Sequence, residues 1–291
     1  MLKTIKRFTL VLASASIASC GGSGNTPAEN PNDSTEAKVE KKDSASVVFY
    51  NIPSPLETFT ILKMAGSKFD KSVLNPTDKM SKYISTFQKS LNLGAYSTDL
   101  SFCYLYKQNQ DCNNYIKNIT DLTNSLGIDG SYGQEVNKRL QANINNLDSL
   151  MAIVSEAGVN ADQYLKENQR NTETATIAAG GWIEAMYIIT NIADKTGNAD
   201  IIGLVGDQKI VLKNLTNMLE QFKSNADIKD LLSDMKTIGG IYETIQASQN
   251  TPVSSDKDII SVGNNSSFTV SKEQLKSILE KIAALRNKIT L

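Results

Sequence analysis

The sequence predicts an all-α fold, a multi-helix bundle with one small β-hairpin near residues 259–270. Three observations carry that expectation. Apolar residues recur at spacings of three and four through most of the chain after residue 47. Helix-capping and helix-stopping residues fall between the periodic segments. The run from Thr172 to Ala193, TETATIAAGGWIEAMYIITNIA, is apolar around most of a helical circumference, the pattern of a helix surrounded by others.

The first twenty residues read MLKTIKRFTLVLASASIASC, with Lys3, Lys6 and Arg7 leading into an apolar stretch and small residues before Cys20. That stretch is too short for a permanent membrane span and fits an export signal. Ile17-Ala18-Ser19-Cys20 resembles the bacterial lipobox, which implies cleavage after residue 19 and lipid on Cys20. Each buried CH₂ contributes ~0.8 kcal/mol, so several acyl chains would hold the protein on a bilayer. The expected division is a signal peptide over 1–19, lipidated Cys20 with a tether through residue 46, and one helical domain over 47–291.

Residues 21–46 have only alanine and valine as apolar members and cannot bury enough surface to fold. A coil of that length reaches roughly 28 Å. Asp33-Ser34-Thr35 and Asp43-Ser44-Ala45 are similar to short O-glycosylation sites of Bacteroidota. No acidic cluster closely follows Cys20, which favours the periplasmic face of the outer membrane over surface display. Loss of residues 1–19 removes three basic and no acidic side chains from 30 Lys plus Arg and 31 Asp plus Glu, leaving a formal charge of −4. That balance argues against a nucleic-acid partner.

In the domain, Asn75-Pro76-Thr77-Asp78 reads as a helix start, with Met80, Tyr83, Ile84, Phe87 and Leu91 on one face. Leu93-Gly94 suggests a kink. Leu100, Tyr104, Tyr115, Ile119, Leu122 and Leu126 then carry a helix to a stop at Gly127. Val136, Leu140, Ile144, Leu147, Met151 and Val154 predict one amphipathic helix. Tyr164 and Leu165 lead into the central helix, which ends near Thr196-Gly197. Further helices follow at Val211–Phe222 and Ile228–Ile245. Residues 259–262 and 267–270 form the expected hairpin. A capping box of Ser271 and Gln274 opens the last helix, with Leu275, Ile278, Leu279, Ile282, Leu285 and Ile289 on its apolar side.

The sequence excludes more chemistry than it proposes. With no histidine, Ser-His and Cys-His catalysis, the usual zinc sites and His-ligated haem are ruled out. No phosphate-cradling glycine motif is present. No enzymatic activity, cofactor or metal is expected. Cys103 and Cys112 invite a disulfide in an exported protein. On one continuous helix they would be ~13.5 Å apart in rise, beyond bonding reach, so two buried thiols are expected unless the helix breaks between them.

One candidate binding constellation remains. Tyr96, Asp99, Cys103, Tyr106 and Gln110 make a polar-aromatic stripe on one helix, and Gly180, Glu184 and Tyr187 make another on the central helix. Facing each other, Tyr96, Asp99, Tyr106, Glu184 and Tyr187 would line a pocket for a cationic or hydroxyl-rich ligand. Gly180 and Gly181 each cost ~1 kcal/mol against Ala in a helix, which close approach of a neighbouring backbone would offset. Glu184, if buried, needs a partner.

The segments SLNLGAYSTDLSF, NADQYLKENQR and AAGGWIEAMYI resemble a group of all-helical lipoproteins of Bacteroidota. The resemblance implies export, a lipid anchor and a helical domain, and it transfers no functional residue. The leading functional expectation is a membrane-tethered, non-enzymatic interaction or scaffold module that binds an envelope protein. The alternative is a small-ligand-binding lipoprotein using the tyrosine and carboxylate stripes.

Overall fold

The computed structural model describes residues 54–128, 130, 133–248 and 268–290, all within one compact unit. The lipobox, the tether and the first expected hairpin strand lie outside the described residues. The described chain is all-α with one two-stranded antiparallel sheet, as the periodicity predicts. Helix α1 (Pro55–Met64) starts at Ser54, whose side chain accepts from the Leu56 amide. Helices α2 (Thr86–Leu105) and α6 (Asn171–Thr196) form the heart of the bundle. Around this pair pack α3 (Asn109–Leu126), α7 (Ala199–Glu220) and α9 (Lys272–Thr290). Helix α8 (Ala226–Glu243) packs on α7 and α9. Helices α4 (Gly133–Ala142) and α5 (Leu147–Glu167) cover the remaining side.

The α2–α6 crossing is as close as backbone allows. A Cβ added at Gly94 would sit 2.0 Å from the Ile177 carbonyl oxygen, and one at Gly180 would sit 2.0 Å from that of Leu91. Gly181 is less tightly held, with Thr98 Oγ1 at 3.3 Å from such a Cβ. Thr98 Oγ1 also donates to the Gly181 carbonyl at 3.1 Å. Helix α2 runs unbroken through Gly94, whose missing side chain serves this contact. Trp182, Ile183, Met186, Ile188 and Ile189 are all buried, so α6 is the surrounded helix that its composition predicts.

Other expectations need correction. No helix starts at Asn75. Its amide donates to Asp99 Oδ2 at 3.3 Å and its carbonyl accepts from the Tyr115 hydroxyl at 2.7 Å, so its backbone is committed to tertiary partners. The helix begins instead at a capping box, in which the Gln88 amide donates to Ser85 Oγ and the Ser85 amide to Gln88 Oε1, both at 3.1 Å. The helix expected to run on to Gly127 is broken after Leu105, where Lys107 adopts φ 56°. The helix expected over Val136–Val154 is also two helices, because Asn146 caps the start of α5 and leaves Ile144 exposed in the turn. Strand β2 (Phe268–Thr269) lies in the expected second half of the hairpin, and its described partner is β1 (Gln246–Ala247).

The break after Leu105 places the two cysteines on different helices, so the premise of the rise argument fails, yet Cys103 and Cys112 are both free and buried. Burial, together with the nearby acidic side chain of Asp111, pushes the Cys112 thiol up to about 12. Among the described residues no helix is long and apolar enough to cross a membrane.

Candidate functional site

The two stripes do meet. Asp99 on α2 and Glu184 on α6 are both fully buried. The cation between them is the protein's own. Arg286 of α9 donates from Nε to Glu184 Oε2 at 3.0 Å and from Nη2 to Glu184 Oε1 at 2.9 Å, a bidentate pair. Its guanidinium carbon lies 4.4 Å from the centre of the half-buried Tyr187 ring, a cation–π contact. The position expected to receive a cationic ligand is therefore filled from within the chain. Removing one partner of such a pair leaves an uncompensated buried charge, at a typical cost of ~3–5 kcal/mol.

Asp99 has the opposite problem. Burial, followed by the neighbouring Glu184 charge, pushes its carboxyl well above the usual range, and Arg286 offsets only part of this. Two carboxyl groups beside one guanidinium hold a single negative charge most favourably on the one that makes both hydrogen bonds, which is Glu184. Burial raises the Glu184 carboxyl as well, against the pull of Arg286, and Asp99 is the one without that pair of hydrogen bonds. Asp99 Oδ1 and both side-chain polar atoms of Asn75 have no hydrogen-bond partner in the protein.

The rest of this polar centre consists of tyrosines satisfied by backbone. The Tyr96 hydroxyl donates to the Pro76 carbonyl at 2.9 Å, and its ring lies 5.8 Å from that of Tyr115. The Tyr83 and Tyr96 hydroxyls are 3.4 Å apart. Burial raises the Tyr83 phenol. These contacts fasten the segment from Asn75 to Tyr83 across α2 and α3. Tyr106 stands apart from the pocket expected for it: its hydroxyl binds Ser67, and its ring packs on Phe69 and Phe102. Of the five candidate residues, Tyr96, Asp99, Glu184 and Tyr187 belong to one buried centre and Tyr106 does not.

A separate cavity of about 700 Å³ lies among α2, α3, α4, α5 and α6. None of the five candidate residues lines it. Leu93, Leu100, Ile119, Leu140, Met151 and Ile177 form much of its wall. Its hydroxyl groups are largely self-satisfied. Ser97, Ser101, Thr120 and Thr123 donate to the carbonyls of Leu93, Ser97, Ile116 and Ile119 in their own helices, at 2.7–2.9 Å. A donor spent in this way makes its side chain nearly apolar towards the cavity. On α5 the lining includes the small residues Ala152, Gly158 and Ala161, and a Cβ added at Gly158 would meet nothing within 4 Å.

No family model, curated protein or solved structure matches this chain. The functional argument therefore rests on the two features above. The polar centre holds an ion pair made within the chain, and the cavity has a mainly aliphatic wall. A volume of this size and polarity falls within the range of small-molecule sites. Among the described residues there is no cluster of three or more potential metal ligands.

Arg286 was missed in the sequence, although its position carried a signal. It lies four residues after Ile282 and eight after Ile278, on the buried side of α9. An arginine in an apolar stripe requires an acid to meet it. The cavity carried no signal, because a gap between helices depends on how far α5 stands off and not on any residue pattern.

Proposed function

We propose that the helical domain binds an apolar small molecule in the cavity lined by α2, α3, α4, α5 and α6. We further propose that the lipobox-like N-terminus tethers this domain to the outer membrane, on its periplasmic face. The observation that supports ligand binding is the combination of about 700 Å³ of space and a largely aliphatic wall in which the Ser97, Ser101, Thr120 and Thr123 hydroxyls are bonded to their own helices. The pocket opens to solvent on the α5 side, where Asp148, Ala152, Ser155 and Gly158 are exposed, while its aliphatic wall leaves apolar surface in contact with water. An apolar ligand seated there would remove that surface from water. This is a binding role, and no catalytic step is assigned to it.

The expectation of a scaffold for an envelope protein has less support. The exposed large apolar side chains Ile61, Met64, Ile84, Ile144, Val159 and Ile210 belong to α1, α5, α7 and two connections. Single exposed apolar residues of this kind are normal on a protein surface.

The Cys20→Ala chain serves for the test, since without acylation it should leave the membrane fraction. Titration with N-phenyl-1-naphthylamine should give a saturable, blue-shifted fluorescence rise with one site per chain, reversed by a long-chain competitor. A linear, unsaturable rise would sink the proposal. Membrane retention of the variant after a salt wash would refute the anchor.

A further inference from the structure

The charges and hydroxyls around the cavity narrow the ligand class, an argument that rests on the binding role proposed above. Asp148 and Asp162 are the charged residues of the wall, and no lysine or arginine lines it. Both acids are already engaged at the outer side. Asp148 accepts from Lys107 at 3.1 Å and from the Tyr104 hydroxyl at 3.0 Å, and Asp162 accepts from Lys166 at 2.6 Å. An anionic head group would find no cation facing it, and burying it unpaired is costly. A cationic head group would have to displace a lysine from its carboxylate.

The amides of Asn124 and Asn137 and the hydroxyl of Ser155 also line the wall, and one lining oxygen, that of Thr174 in the first turn of α6, is buried without a hydrogen-bond partner. Thr176, Thr190 and Thr196 on the same helix instead donate to carbonyls four residues back. Threonine in a helix divides between two χ1 rotamers, so rotation about one bond exchanges its methyl and hydroxyl at the wall. A purely hydrocarbon occupant leaves that hydroxyl unsatisfied. A ligand oxygen satisfies it.

We infer that the cavity takes an uncharged apolar molecule bearing one hydroxyl or carbonyl oxygen, and that this oxygen hydrogen-bonds Thr174 Oγ1. The test is displacement of N-phenyl-1-naphthylamine from the Cys20→Ala chain and from the same chain carrying Thr174→Val, at neutral pH. Dodecan-1-ol, dodecanoate and dodecylammonium are the competitors. In the Thr174 chain the alcohol should displace the probe at concentrations about tenfold below either ion. Thr174→Val should weaken the alcohol by roughly 3- to 10-fold, the worth of one hydrogen bond, while leaving affinity for the probe unchanged. Equal or tighter binding of either ion overturns the inference and leaves the cavity proposal standing. So does a Thr174→Val variant that binds the alcohol as well as its parent. Failure of the probe and all three competitors to bind overturns both.

Discussion

Burial and the neighbouring Glu184 charge raise the Asp99 carboxyl, and that has a consequence for stability. In the unfolded chain its carboxyl titrates near ~3.9, whereas in the fold burial and the Glu184 charge move it well above that value. Between the two values the unfolded chain has released a proton that the folded chain keeps. Stability from this group is therefore present at low pH and is lost as pH rises through the window. Asp99→Asn mimics the neutral form and removes the titration. Urea unfolding at pH 5 and pH 8 should show the wild-type midpoint falling more than that of Asp99→Asn across this interval. Parallel midpoints would show that Asp99 ionises normally in the fold. Facing it are Glu184, whose carboxyl burial also raises, its partner Arg286, and the Tyr96 and Tyr115 phenols, which burial raises. The stripes of three-and-four spacing brought Asp99 and Glu184 to one place on paper. Their neutralising arginine lies 102 residues from Glu184, and only the tertiary fold could supply that distance.

At the scale of elements, the α2–α6 crossing is the contact on which the bundle turns. Gly180→Ala should destabilise by about 3 kcal/mol or more, since its methyl would lie 2.0 Å from backbone oxygen that cannot move without displacing α2. Gly181→Ala meets a side-chain oxygen at 3.3 Å, and a gain in helix propensity of ~1 kcal/mol offsets that crowding. Denaturant unfolding of the two variants should therefore separate them clearly. Similar midpoints would mean that the helices cross elsewhere. The sequence made the Gly-Gly pair legible as a close contact, but not its opposite number: Gly94 read as a kink because a lone glycine in a helix can mark either. Helix ends were less legible than helix faces. Asn75-Pro76-Thr77-Asp78 has every local feature of an N-terminus, and Tyr115 and Asp99 overrule it from elsewhere in the chain. The turns at Lys107 and Asn146 interrupt apolar periods that run straight through them, so spacing alone could not reveal them.

On the scale of the whole molecule, the account depends on α5 standing off from the core with space behind it. Its small residues Ala152, Gly158 and Ala161 are compatible with either close packing or a gap, and the structure places a gap there. Filling that gap from within separates binding from folding. Gly158→Leu adds a side chain where a Cβ meets nothing within 4 Å, and it also improves helix propensity by ~1 kcal/mol. Probe titration and urea unfolding of the Cys20→Ala chain with and without Gly158→Leu form the most direct test. The account predicts that Gly158→Leu abolishes saturable probe binding while its unfolding midpoint stays level or rises. Undiminished probe binding by a stably folded Gly158→Leu chain would contradict it.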